Sequence, residues 1–556
     1  MSASTKKKLR KEQNFAQLTE KQLNEQKEAK KLKITTIIFS VVILAVLIAG
    51  IVTISINAYS NSGLVARNTT ALTVGEHKLS AAELNYFYMD GINSFYNEWY
   101  STYGEYAATY LMFMTGLDVS SPLDQQQYDE NMTYADYFTE AAINSAVSAY
   151  TAYDLAQAAG TDLHELDKDT IDLTMTQLQL AALQYGYSNT GDYLKAMYGN
   201  GATEETFRKY LEVISVSNHH LEDVFNGFTY DAATLDAYNA EHYEEFTSYS
   251  YRTFTLYPSA FLKCTASADD KEHVHSDEEN AQALADAKAA AEALLAAAPT
   301  DTESFNEAIK ALEAYAESTS SCSVVDDLLF SEITNEKIAN WLKEEGRKTG
   351  DLTLLTNETT STDDAGNQTT KVGSYTVILM IDRNENNMEL VNVRHILKSY
   401  EGGTKDENGN VEYSVKEKEA AVEAVKLLEE NWKTAGATEE LFATLAKDNS
   451  TDTGSASNGG LYEDVYPGQM VTEFNDWCFD ESRKPGDTGI VETTYGAHLM
   501  YFVGNTGVTF RNFMIENVLR NEDYDAFVTD MNNNAQYEVK NTSKLNRNLV
   551  LGNMMG

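Results

Sequence analysis

Few residues in this 556-residue chain are typed and spaced for chemistry. Cysteine occurs three times, as Cys264, Cys322 and Cys478, with no CxxC pair and no Cys/His spacing suited to zinc, which excludes a disulfide scaffold and a zinc module. Cys478 beside Trp477 reads as core, while Cys264 and Cys322 read either as a pair in an oxidising compartment or as lone thiols. His273 and His275 stand in a polar run, residues 271–280, that reads as a solvated loop rather than a metal site. What remains is His395 in Val393-Arg-His-Ile-Leu397, His498 in Gly496-Ala-His-Leu-Met-Tyr501, and Asp452 in a Ser/Thr/Asp/Gly loop between them. Each alone has an ordinary reading, as two core histidines and a turn residue. Brought together, two imidazoles and a carboxylate make a hydrogen-bond network able to act on a polar bond held above it.

For that, the two histidine segments must be neighbouring strands, and the sequence supplies such a frame twice. From about residue 248 the pattern runs strand, helix, helix, strand. The first pass leads from Tyr251–Leu256 through an Ala-rich helix (279–298) and a second helix (302–316) to Gly373–Met380. The second leads from Val393–Lys398 through helices near 416–432 and 438–447 to Gly496–Tyr501. Residues 338–352 align with 474–488 without a gap: Trp341 meets Trp477, Glu345 meets Glu481, Arg347-Lys348 meets Arg483-Lys484, and Gly350-Asp351 meets Gly486-Asp487. A constant offset of this length marks a duplicated domain. In the first copy Thr253 takes the place of His395, Tyr375 that of His498, and Cys322 falls near the Asp452 position. Its polar insertion, 356–371, reads as an exposed hairpin tip.

Upstream the chain reads helical. A short extended piece, Ala71–Val74, precedes Ser80, which caps a helix beginning at Ala81. Further helices span 133–159, 163–186 and 203–228, with apolar residues such as Phe207, Leu211 and Ile214 at spacings of three and four. The dense tyrosines read as helical core, or in part as the lining of an open groove for apolar segments of unfolded chains. A last helical stretch covers Arg511 to Met531.

Charge sets the topology. The chain carries −43, yet residues 1–33 hold ten Lys/Arg against four Glu, and the rest is correspondingly more acidic. Residues 34–56 are uncharged and apolar, and at ~1.5 Å per residue they reach about 34 Å, enough for a ~30 Å hydrocarbon core. The basic flank stays cytoplasmic, placing the bulk of the chain outside; a signal peptide cleaved near Ala58-Tyr59-Ser60 is the competing reading. Such acidity excludes an ordinary nucleic-acid binder, and reads either as a preference for neutral or basic partners or as a device for solubility alone.

Residues 391–504 resemble the parvulin-type peptidyl-prolyl isomerases. The motif series runs Val393–Leu397, Phe442-Ala-Thr-Leu-Ala446, Ser450-Thr-Asp452, Ser455-Ala456, Gly459-Gly460-Leu461, Gly468-Gln-Met470, Phe474 and Gly496-Ala-His498. Two departures stand out: the family's Gly-Gly-Asp-Leu-Gly reads Gly459-Gly460-Leu461-Tyr462-Glu463, and one residue is gained at Gly454. The whole layout is similar to the PrsA/SurA class of extracytoplasmic foldases. Together with the charge pattern, which gives a basic tail (1–33) and a transmembrane helix (34–57), the resemblance implies an α+β chain: a mainly helical chaperone module (70–247), a degenerate parvulin-like domain (248–385), an isomerase domain (388–506) with an antiparallel sheet and surrounding helices, and a C-terminal helix and tail (507–556). It implies catalytic roles for His395, Asp452 and His498, a proline-ring pocket from Leu461, Met470 and Phe474, a backbone contact from Gln469, and no cofactor or metal. The implied partners are unfolded or partly folded exported polypeptides and the membrane, with no nucleic acid. The alternative is a non-enzymatic holdase or scaffold using its parvulin folds as binding modules. Residues 398–420, with six Asp/Glu against four Lys, do not make the Lys/Arg cluster that reads phosphoserine-proline.

Overall fold

The computed structural model describes residues 62–262, 275–316, 319–362, 368–405, 409, 411–545 and 547–551. The expected anchor (34–57), Cys264 and His273 lie outside the described residues; among the described residues no helix is long and apolar enough to cross a membrane. Helices and antiparallel sheets make two compact units: one ends at Thr229 and resumes at Leu519, the other spans Tyr230–Val518.

The first unit is mainly helical, with helices Ala81–Tyr103, Tyr134–Ala159, Glu165–Gln184 and Glu204–Gly227. Capping boxes are found at their starts, among them Ser80 with Glu83 and Thr133 with Asp136, each satisfying end amides that a helix leaves unpaired. Seven of this unit's tyrosines are buried in the core: Tyr86, fully buried, meets Tyr198 and Phe207 edge-on at 5.1 and 5.4 Å. The helix Ala107–Thr115 differs. Met112, Phe113 and Met114 are exposed there, Phe113 at 82%. The C-terminal segment belongs to this unit rather than standing apart after residue 507. Strand Tyr537–Val539 pairs with Thr70–Val74, Leu72 opposite Val539, and Leu545 and Leu551 join the core.

The second unit contains the two repeats, whose sheets share one strand order. In chain order of each repeat's strands, the sheet reads second, first, fourth, third. The first repeat uses Ser248–Leu256, Ser323–Leu329, Leu352–Thr362 and Gln368–Asn384; the second uses Glu389–Ser399, Leu461–Val465, Thr488–Thr493 and Gly496–Thr509. Equivalence extends to atoms. Arg347 lies over the Trp341 ring at 4.3 Å and Arg483 over Trp477 at 4.2 Å, each donating through Nε to that tryptophan's carbonyl. Gly350 N donates to Met380 O and Gly486 N to Phe502 O, both at 2.8 Å. The polar insertion is a hairpin of the two long strands of the first repeat. The helical module's boundary moves back from residue 247, because buried Arg511 ties residues 239–247 to this unit through Asn239 Oδ1, Tyr243 O and Thr247 Oγ1, all at 2.8 Å.

Register corrects the assignment made for the first repeat. Thr253 sits opposite Ile378 as His395 sits opposite Met500, so Thr253 does match His395. His498 sits opposite Leu397, however, and the matching pair is Thr255 with Thr376. Thr376, not Tyr375, therefore holds the His498 position; a slip of one residue moves a side chain to the other face. Cys322 does not hold the Asp452 position either. It directly precedes the strand whose Val324 pairs with Arg252, as Leu461 pairs with Arg394, which places it at Gly459.

Candidate active site

Two adjacent antiparallel strands, Glu389–Ser399 and Gly496–Thr509, carry the histidines. His498 lies opposite Leu397 and Met500 opposite His395, so the imidazoles are diagonal neighbours on one face, within side-chain reach. Their Nδ1 atoms are 3.0 Å apart and their rings nearly parallel, 21° between planes. Both are buried, at 3% and 5% exposure.

Asp452 arrives from the loop after helix Glu439–Asn449. That loop is zipped onto the histidine strand: Leu397 N donates to Ser450 Oγ (3.1 Å), Thr451 N to Leu397 O (2.9 Å) and Ser399 N to Thr451 Oγ1 (3.0 Å). Asp452 Oδ2 then meets His395 Nε2 at 2.8 Å and accepts from Tyr462 OH at 3.0 Å and from Ser455 Oγ. At the other end, Thr493 Oγ1 lies 2.9 Å from His498 Nε2 and accepts from Tyr495 N at 3.1 Å. Gly460 is required by this geometry. Its carbonyl accepts from His395 N, its φ is +72°, and a Cβ there would stand 2.1 Å from His395 O.

One proton arrangement satisfies every member with both imidazoles neutral. Thr493 has its acceptor filled by Tyr495 and donates to His498 Nε2; His498 Nδ1–H donates to His395 Nδ1; His395 Nε2–H donates to Asp452. The hydrogen bond from His395, with help from Ser455 and against the effect of burial, holds the Asp452 carboxyl well below the usual carboxylate range. Burial first, then His395, pushes His498 down to about 4. Burial and the neighbouring Asp452 push Tyr462 up to about 12, keeping it a donor.

Phe474, buried on the short helix Thr472–Cys478, stands edge-on to both imidazoles at 5.5 Å. Half-buried Met470 and Tyr462 pack against the same cluster. Leu461 is not brought to the site. It sits opposite Arg394, whose side faces the helices, and Tyr462, opposite Val393, takes the place beside His395. Gln469 folds back on its own turn, Oε1 accepting from Tyr466 N at 3.1 Å. Sequence reasoning missed Tyr462 and Thr493 and gave Ser455 no role. Pairing Thr488–Thr493 against the His498 strand across the tight turn at Tyr495 would have exposed Thr493.

The first repeat shows the same frame without the chemistry. Thr253, Thr255, Asn357, Ser374 and Thr376 line a cavity of about 320 Å³, and among the described residues no imidazole or carboxylate faces it. Asn357 Nδ2 donates to Thr376 Oγ1 at 2.8 Å where Thr493 meets His498 in the second repeat.

Comparison with known proteins finds similarity over the second repeat. Residues 375–505 match the PPIC-type PPIase domain. The chain is 43% identical over 67 residues to the foldase protein PrsA 1 of Listeria innocua, covering 12% of this chain and 23% of that protein. It is 35% identical over 131 residues to the chaperone SurA of Pseudomonas syringae pv. tomato, covering 21% and 29%. A crystal structure of PrsA from Bacillus anthracis is similar at 22% identity over 27% of this chain and 59% of that one, with a TM-score of 0.17. The chain thus spans less than a third of the length of these curated relatives.

Proposed function

We propose that this chain, whose residues 375–505 carry a PPIC-type peptidyl-prolyl isomerase domain, is an anchored extracytoplasmic foldase that isomerises X–Pro bonds in exported polypeptides and holds them while unfolded. The observation that carries the reading is the unbroken chain Thr493–His498–His395–Asp452, closed by Tyr462 and Ser455 and walled by Phe474 and Met470. Rotation about X–Pro breaks no covalent bond; its barrier is ~18–20 kcal/mol because twisting removes amide conjugation. The site must favour the twisted amide over the planar one. A thousandfold acceleration needs about 4 kcal/mol, within reach of a few fixed dipoles in a water-excluded pocket. The neutral imidazole pair supplies those dipoles and performs no nucleophilic attack. The first repeat, with Thr253 and Thr376 at the imidazole positions, is a degenerate copy without isomerase activity.

The exposed Met112–Met114 surface of the helical unit supports the holding role, since apolar patches of this kind bind other chains. Anchorage and outward orientation rest on the sequence, an uncharged stretch at 34–56 behind a basic tail. A protease-coupled tetrapeptide assay on the full chain and on Asp452→Ala tests the enzymatic reading. Acceleration that the substitution removes supports it; no acceleration by the full chain leaves the holdase. Retained acceleration in Asp452→Ala overturns the assigned network.

A further inference from the structure

A second histidine cluster lies in the helical unit, in elements the isomerase domain does not include. His164 directly precedes helix Glu165–Gln184, Asp167 stands in its first turn, and His219 comes from helix Glu204–Gly227. One donor atom from each lies within 4.8 Å of the other two. The His164 and His219 rings stack, with centroids 4.2 Å apart. Asp167 Oδ2 accepts from His164 N at 3.1 Å and lies 3.1 Å from His219 Nδ1. That second approach is off the hydrogen-bond line, so the buried Nδ1 has no hydrogen-bond partner among the described residues. Buried ring nitrogens are normally paired. Here the nitrogen has a carboxylate oxygen beside it at 3.1 Å, and the second imidazole lies stacked against its ring.

We infer that His164, Asp167 and His219 form a binding site for a divalent transition-metal ion of the zinc class. Two imidazoles and one carboxylate suit borderline ions such as Zn²⁺ and Ni²⁺ and do not suit Mg²⁺ or Ca²⁺, which take oxygen ligands. Bonds of about 2.0–2.2 Å place two donors on one ion roughly 3–3.5 Å apart, so the present spacing closes by side-chain rotation. His164 is exposed, whereas His219 and Asp167 are half-buried at 23% and 16% side-chain exposure. The bound ion ties the start of one helix to the body of another and leaves at least one position for water.

Titration of the full chain with ZnCl₂ by calorimetry tests this, beside His219→Ala, Asp167→Asn and His164→Gln. His395→Ala serves as the control for any ion at the isomerase pair. The wild type takes up one tight equivalent, His395→Ala retains it, and each cluster variant binds it at least about tenfold more weakly. Co²⁺ in place of Zn²⁺ gives the wild type visible ligand-field absorption that the cluster variants lack. The inference is overturned when wild type binds no equivalent, or when His164→Gln and Asp167→Asn bind as wild type does. His164 is a surface side chain, so its substitution keeps the test decisive even where His219→Ala does not fold.

Discussion

Protonating His498 is the most informative perturbation, because one buried group reports on the whole network. Burial, reinforced by His395 and opposed by Asp452, moves its imidazole from 6.5 down to about 4. The folded value lies below the unfolded one, so between them the unfolded chain holds a proton that the folded site refuses. The stability linked to His498 is therefore complete above 6.5, falls as pH drops through this window, and reaches its floor near 4. At about 1.36 kcal/mol per pH unit the fall amounts to about 3 kcal/mol, a large fraction of an ordinary domain's stability. Hydrogen exchange read on peptides covering Glu389–Ser399 and Gly496–Thr509 measures it locally, in wild type and in His498→Gln. Glutamine can still bond to Thr493 and His395 but does not titrate. Between about pH 7 and about pH 4 the opening free energy of these strands should fall by about 3 kcal/mol more in wild type than in the variant. Equal falls in both would refute the reasoning.

Three further outcomes follow from the geometry. Thr493→Val leaves the buried His498 Nε2 unpaired and should cost about 1–3 kcal/mol in urea unfolding, with a matching loss of isomerase kcat/KM. Gly460→Ala forces a Cβ against the His395 carbonyl at positive φ; a cost of about 3 kcal/mol or more should appear as a lowered unfolding midpoint and lost activity. Arg347→Ala and Arg483→Ala each remove one guanidinium from one tryptophan face, and thermal melts should show similar losses of about 0.5–1 kcal/mol, with isomerase activity spared in Arg347→Ala.

Much of this architecture was legible because the duplication wrote it twice. The Trp, Arg and Gly-Asp matches fixed the repeat frame, and the capping residue Ser80 marked a helix start that the structure shows. Faces were harder to read. Tyr375 against Thr376 and Leu461 against Tyr462 are both slips of a single residue; segment matching tolerates such a slip, whereas strand alternation turns it into the opposite side of a sheet. The pairing of Tyr537–Val539 with Thr70–Val74 carries no local signal, since its partners are more than 450 residues apart and only tertiary packing brings them together. The Thr493 hydroxyl lacks a spacing signature and Ser455 stands in the motif series without a role; what each does appears only once the imidazoles are placed.

The central claim is that one imidazole pair in the second repeat lowers the X–Pro barrier for the whole chain. Exchange NMR of a Xaa-Pro peptide, free of any coupling protease, measures cis–trans interconversion directly with the full chain and with the His395→Ala, His498→Ala double variant. Faster exchange with wild type and the uncatalysed rate with the double variant is the predicted result, the first repeat contributing nothing. Undiminished catalysis by the double variant would contradict the account.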